Sequence, residues 1–373
     1  MAHAYTPGLR VTGHALVRRE RRLPLKGEVL VPLGVEVAPD AVVARTELPG
    51  NVQTVNLAAK LAVDPARVAT TLLQPLGASV RRGEPIAAAR SLFGLVNNRV
   101  EAPGDGVLES VSAITGQLIL REPPIPVEVL AYVRGRVAQV LPAEGVVIEA
   151  QGAFVQGIFG VGGETFGALE VAVDGPDAVL EGAALKPGHR GRVVVGGAYV
   201  SHATLMRARE LGVAAVVVGG LDDRDLRTLL GRDLGVAITG HEELGITVVL
   251  TEGFGHVRMA DRTWRLLAGL RGEVASVSGA TQIRAGVMRP EILIPHVGDA
   301  PAHAEEPGGA LEPGAQVRAI RSPHFGRIGR VVELPAELQA LDTEARVRVL
   351  VVEFADDGGR ATLPRANVER IAD

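Results

Sequence analysis

Two stretches of this chain repeat one another, and the repeat limits what the N-terminal half can fold into. Gly34, Val37, Asp40, Val43 and Ala44 match Gly77, Val80, Gly83, Ile86 and Ala87 position for position. Both copies follow G-x-x-V-x-x-[GD]-x-x-[IV]-A. Each reads as a short strand, a tight turn and a second strand. The second copy runs on to an Ala102-Pro103-Gly104-Asp105-Gly106-Val107 step. Two such units predict a small β-sandwich of quasi-repeated halves.

The rest of the composition agrees with a β-rich, multi-domain chain. Its 373 residues suit two or three domains, and 46 glycines with 23 prolines favour many turns between short strands. Aromatic residues make up only 3%, so the cores must be aliphatic. The absence of cysteine excludes disulfides, thiolate zinc sites, iron–sulfur clusters and cysteine nucleophiles. A net charge of −4 gives no global bias toward nucleic acid or an acidic membrane. The start has no apolar h-region and no apolar run reaches ~18 residues, so a signal peptide and a membrane span are not expected. The expected location is cytoplasmic, with no cofactor and no metal.

In chain order, residues 1–24 read as a polar arm, basic around Arg18, Arg19, Arg21 and Arg22. Residues 25–175 follow as strand after strand, interrupted at 52–73 by a helical pattern. There Asp64 and Pro65 supply a cap and a first helical residue. A DNA-binding helix-turn-helix has this outline, but the second helix offers only Arg67 as a cation, so a helical hairpin covering a barrel end is expected. Within residues 25–150, the repeat and the Ala-Pro-x-x-Gly step resemble the barrel-sandwich hybrid fold. That is the fold of biotinyl and lipoyl carrier domains and of the N-terminal domain of a cluster-bearing Rnf-complex protein. Carrier members place a swinging-arm lysine on the hairpin between these pieces. Here residues 90–98 contain no lysine, so no amide-linked cofactor is possible. The missing cysteines exclude the iron–sulfur clusters of the Rnf protein as well, and only the scaffold resemblance survives.

Residues 151–167 are dense in glycine, which suggests a phosphate cradle. The Walker pattern fails because Gly163-Glu164 replaces the required Lys-Ser/Thr, and the dinucleotide fingerprint fails at Thr165. A connector or interface loop is expected, and it is the first place to look for a small ligand in this half.

Residues 188–295 alternate buried-type strands with helices, which predicts a central α/β layer with parallel strands. Ligands of such layers sit at the carboxyl ends of the strands. The candidate pocket is therefore Gly196, Gly197, Ser201, His202, Gly219, Gly220, Asp222, His241 and Glu252. Residues 196–213 also resemble the phosphohistidine domain of phosphoenolpyruvate-utilising enzymes, which implies that His202 carries the phosphoryl group. Two extra residues break the spacing, and the second rotates the helix by ~100° relative to the motif. A serine-initiated helix with an incidental histidine is the expected reading.

Residues 296–313 read as an Ala/Pro/Gly/Glu linker. Residues 314–373 hold a strand, Pro323-His324-Phe325-Gly326-Arg327-Ile328-Gly329 and a second strand. They resemble a KOW motif in an SH3-like β-barrel, which implies RNA or protein binding. Arg318, Arg321, His324, Arg327 and Arg330 gather around that turn and are the candidate nucleic-acid contacts. The layout as a whole resembles a family of KOW-domain proteins and adds no activity. The expected function is a non-catalytic, multi-module binding or assembly protein with a protein partner. The alternatives are an RNA- or ribosome/transcription-associated factor acting through the KOW turn, and a ligand sensor or enzyme using the strand ends.

Overall fold

A computed structural model describes residues 9–91, 96–231, 244–281, 288–296, 311–320, 323, 324, 326–340, 346–355 and 357–370. The N-terminal part is built from strands β1 (Val11–Arg22), β2 (Glu28–Val29), β3 (Glu36–Val37), β4 (Val42–Leu48) and β5 (Val52–Asn56). They are followed by β6 (Ser79–Val80), β7 (Pro85–Ser91), β8 (Val96–Glu101), β9 (Gly106–Val111), β10 (Gln117–Arg121) and β11 (Ile125–Leu130). Then come β12 (Gly135–Leu141) and β13 (Gly145–Gln156).

The sequence repeat is a structural repeat. Gly34 and Gly77 both turn the chain through left-handed backbone, at φ 84° and 89°, which glycine adopts without the penalty a Cβ brings. Each then donates its N–H to a more distant strand residue, Gly34 to Val137 O at 2.8 Å and Gly77 to Leu108 O at 2.7 Å. The matched apolar positions then diverge. Val37 and Val43 enter one aliphatic cluster with Val137, Val146 and Ile148. Val80, Ile86 and Ala87 enter another with Leu57, Leu108 and Leu118. One pattern therefore specifies two adjacent cores.

The expected helical hairpin at 52–73 forms differently. Val52, Thr54 and Val55 favour extended backbone, and β5 pairs antiparallel with β10. Helix α1 (Leu57–Leu61) is a single turn capped by Asn56, and it ends where Ala62 turns left-handed at φ 52°. Asp64 and Pro65 do start the next element, but Pro65–Thr71 is a 3-10 helix. Leu57, Leu61 and Val68 point into the core, so the segment plugs that core and presents no recognition helix.

Half of the expected arm, Val11–Arg22, is also strand. β1 pairs with β13 from Val11↔Val155 to Arg22↔Gly145. Its basic run is matched by carboxylates: Arg18 to Glu149 at 2.7 Å, Arg19 to Glu291, Arg21 to Glu164 at 2.8 Å, and Arg22 to Glu20 and Glu144.

The chain continues through β14 (Phe159–Val161), β15 (Glu164–Val171), β16 (Val179–Leu180), β17 (Val193–Val195), β18 (Tyr199–Val200) and β19 (Ala215–Leu221). Next come β20 (Thr247–Phe254), β21 (Val274–Ser278) and β22 (Glu291–Pro295). Helices α2 (His202–Glu210), α3 (Asp223–Leu230) and α4 (Asp261–Gly269) alternate with them. β15, β17, β19 and β20 run parallel, and every residue of β19 is buried, as a strand covered on both faces requires. The sheet is mixed and continues past this layer, in the order β14-β20-β19-β17-β15-β21-β22-β13-β12-β3. The start of β13 pairs with β12 and its end with β22. One strand thus joins the N-terminal region to the parallel layer.

The C-terminal segment forms β23 (Gln316–Ala319), β24 (Ile328–Glu333), β25 (Leu338–Ala340), β26 (Arg346–Phe354), β27 (Arg360–Pro364) and β28 (Val368–Arg370). These make a separate six-stranded antiparallel sheet around its own cluster, which includes Val317, Val331, Leu350, Val352 and Phe354. Among the described residues, no helix is long and apolar enough to cross a membrane.

Candidate functional site

The parallel strands end together, so the loops after β17, β19 and β20 and the start of α2 share one side of the layer. The four candidate glycines lie here, all buried. A Cβ on Gly219 would fall 2.0 Å from Val257 O, one on Gly220 2.2 Å from Gly255 O, and one on Gly197 2.3 Å from Ala178 O. Gly196 faces Val218 and Leu180 side chains. The approaching loops are hydrogen-bonded in place, through Val257 N to Ala198 O at 3.2 Å and Met259 N to Pro176 O at 2.9 Å. The glycines therefore admit backbone, and the crevice behind them is filled by the chain itself.

The rim of this face carries polar groups. Ser201 caps α2 by accepting from Thr204 N at 3.2 Å. The N–H of His202 donates to Asp225 Oδ2 at 2.7 Å. The Tyr199 hydroxyl donates to Asp222 Oδ2 at 3.0 Å, and its ring stacks on His256 with centroids 5.5 Å apart. Burial, then the hydrogen bond and charge of Asp222, push the Tyr199 phenol well above its ordinary range. It is a fixed donor at neutral pH and not a base.

This rim opposes the phosphohistidine reading. The first amide of α2, which a phosphoryl group at this helix start would use, is already held by the Asp225 carboxylate. The structure brings Ser201, His202 and Asp222 together. Tyr199, Asp225 and His256 join them without having been singled out by sequence; Asp225 is visible there as part of an acidic first turn, while the other two have no local signal. His241 lies outside the described residues.

Glu252 behaves differently from the rim. It is 5% exposed, and its Oε1 accepts from Ala260 N at 3.0 Å. Its Oε2 pairs with Arg318 Nη2 at 2.8 Å. Arg318 is 2% exposed and reaches Glu369 Oε1 through Nη1 at 2.8 Å, while Arg289 pairs with the other oxygen of Glu369 at 2.6 Å. These four side chains form a buried ionic seam between the C-terminal sheet and the end of β20. Beside it, a Cβ on Gly253 would fall 2.8 Å from Gly326 O, and one on Gly326 would strike the Phe254 ring at 2.6 Å.

The seam corrects the reading of Arg318, which is enclosed and has no face to offer nucleic acid. His324 and Arg327 pack on Phe354, with ring centroids 5.0 Å apart and the guanidinium 3.9 Å from the ring, and Arg327 also pairs with Asp357 at 2.7 Å. Arg330 is exposed on β24. Arg321 lies outside the described residues. The two candidate sets, the strand ends and the arginine cluster of 318–330, thus meet each other.

A second site draws partly on the glycine-dense segment 151–167, which runs mostly as strand through β13, β14 and β15 and is not the expected connector loop. A cleft of about 540 Å³ is lined by β1 at Glu20–Arg22, by β11 at Glu128–Leu130, and by Pro39, Tyr132 and β15 at Glu164–Phe166. The β15 residues come from the glycine-dense segment. Tyr132 is 3% exposed and holds left-handed backbone at φ 70°, a strained state for a residue with a side chain. Burial first, and then the Glu291 carboxylate, raise its phenol well above the ordinary range. Among the described residues, no three His, Asp or Glu side chains converge to hold a metal.

No family model matches this chain and no curated protein matches it, so the geometry of these sites carries the functional reading.

Proposed function

We propose that the chain is a non-catalytic, multi-module binding or assembly protein. Its modules are a barrel-sandwich hybrid, a parallel α/β layer and a KOW-type SH3-like barrel. The two-core repeat supports the first assignment. The second barrel is supported by six short antiparallel strands with a 3-10 turn at Arg365–Asn367 before the last one.

One observation carries the functional reading. Glu252 stands at the carboxyl end of a parallel strand, where an α/β layer would present a catalytic or ligand-holding group. Here it is buried against Arg318 of the C-terminal barrel. A carboxylate held by an internal guanidinium is removed from chemistry, and the glycines around it serve packing. Of the RNA candidates, Arg318 and Arg327 are engaged with carboxylates, and Arg330 is exposed.

The test is capture of the full chain from its native host, with and without nuclease. A defined protein partner that survives nuclease is expected. RNA that disappears with nuclease and with Arg330→Ala overturns the reading in favour of an RNA factor. Recovery of the chain alone also overturns it.

A further inference from the structure

The cleft beside Tyr132 takes no part in the strand-end seam, and its charges are unequally matched. Its volume of about 540 Å³ lies within the span of small-molecule sites. Arg21 is already satisfied: both terminal contacts to Glu164 are 2.8 Å, Nε donates to Leu130 O at 2.8 Å, and the guanidinium sits 5.4 Å over the Tyr132 ring. Arg22 is held between Glu20 and Glu144. Glu128 is exposed and makes no side-chain hydrogen bond or ion pair among the described residues. Arg45 lies directly opposite it on β4, but that guanidinium is turned to Glu28 at 2.8 Å. The charge left uncompensated in the cleft is therefore a carboxylate, flanked by the apolar surfaces of Leu130 and Phe166.

Arg21 shows what these walls accept: a planar cation on a carboxylate fork, capped by a backbone carbonyl and an aromatic face. An anion would have to displace Glu164 while facing Glu20 and Glu128. We propose that this cleft binds an alkyl guanidinium, with the cation on Glu128 and its stem along Leu130 and Phe166. The source is either an arginine side chain in a peptide or a free arginine-like molecule. A guanidinium is favoured over an ammonium because its planar donors match a carboxylate edge and stack on an aromatic ring. The competing account makes Glu128 a solvated guard on the edge of β11, where Pro126 also discourages pairing.

The inference stands apart from the assembly reading, because partner capture tests the whole protein and a probe titration tests this cleft. The experiment titrates the full chain with Nα-acetyl-arginine amide, with agmatine, and with the neutral Nα-acetyl-citrulline amide. Saturable binding of a guanidinium probe is expected, with no binding of the citrulline analogue. Glu128→Gln is expected to weaken it about tenfold, the size of one charge-assisted contact. Glu109→Gln, an exposed carboxylate on β9, is expected to leave it unchanged. Tighter binding of the capped arginine identifies a peptide side chain, and tighter binding of agmatine a free small molecule. Equal binding of the neutral analogue, equal affinity of Glu128→Gln, preference for Nα-acetyl-glutamate, or no saturation overturns the proposal. Unchanged thermal denaturation of Glu128→Gln shows that the variant is folded.

Discussion

Removing Glu252 tests the seam that ties the C-terminal sheet to the parallel layer. The side chains of Arg318, Glu252 and Glu369 are 2%, 7% and 0% exposed, so solvent cannot replace a lost partner. Arg318 Nε and Arg289 Nη1 are also buried without a hydrogen-bond partner among the described residues. Glu252→Ala leaves Arg318 Nη2 unpaired and Ala260 N–H without its acceptor. Breaking one side of a buried pair costs about 3–5 kcal/mol. Glu252→Gln keeps an acceptor but loses the charge, so about 1–3 kcal/mol is expected. Combining Glu252→Gln with Arg318→Met should show coupling of about 0.5–3 kcal/mol. The exposed pair Arg121–Glu109, at 36% and 42% exposure, is the control, and Glu109→Ala should change stability by at most about 1 kcal/mol.

The assay must separate the two cores, because a chain with several clusters need not unfold in one step. Trp264, the sole tryptophan, packs against the layer and reports its unfolding by fluorescence in urea. Limited proteolysis reports release of the C-terminal sheet. High salt should weaken Arg121–Glu109 and leave the seam nearly unchanged. If Glu252→Ala and Glu109→Ala prove equally mild, or the double variant is additive, the seam does not hold the C-terminal sheet.

Other consequences are sharp enough to measure. Gly219→Ala should destabilise the layer by about 1–3 kcal/mol or more in urea unfolding, because its Cβ would fall 2.0 Å from Val257 O; a neutral result would mean that the crevice is open. Gly34→Ala and Gly77→Ala should each cost about 1–2 kcal/mol, and equal effects would support the structural equivalence of the two turns. Tyr132 and Tyr199 should stay protonated at pH values where an ordinary tyrosine ionises, about 10. The unfolded chain releases these protons first. Their contribution is thus complete below about pH 10 and lost as pH rises toward the folded-state values, which phenolate absorbance of native and urea-unfolded chain will show.

Local chemistry explains how far the fold is legible in the sequence. The repeat is legible because Gly34 and Gly77 need the same backbone and the valines that follow each of them need the same burial. The parallel layer is legible from the uninterrupted apolar run of β19. At 52–73 a helical pattern misleads, because β-branched Val52, Thr54 and Val55 pair with β10 and Pro65 opens a 3-10 turn. Ser201, His202 and Asp222 are legible as strand-end residues. Glu252 and Arg318 each stand out, but as members of two different surfaces. Their pairing spans two modules and depends on docking, which no local pattern encodes. Tyr132 is hidden for a similar reason, since it enters one core cluster with Ala131 and Val133 at a left-handed backbone that no local pattern encodes.

Hydrogen exchange on the intact chain tests most directly whether the C-terminal sheet closes the strand ends. The amides of β23 and those at the end of β20 should share strong protection in the unaltered protein. Both should lose it together in Glu252→Ala, while β9 and β10 keep theirs. Exchange at the end of β20 that is fast in the unaltered protein, or that ignores the loss of Glu252, would contradict the account and return the strand ends to the set of open ligand sites.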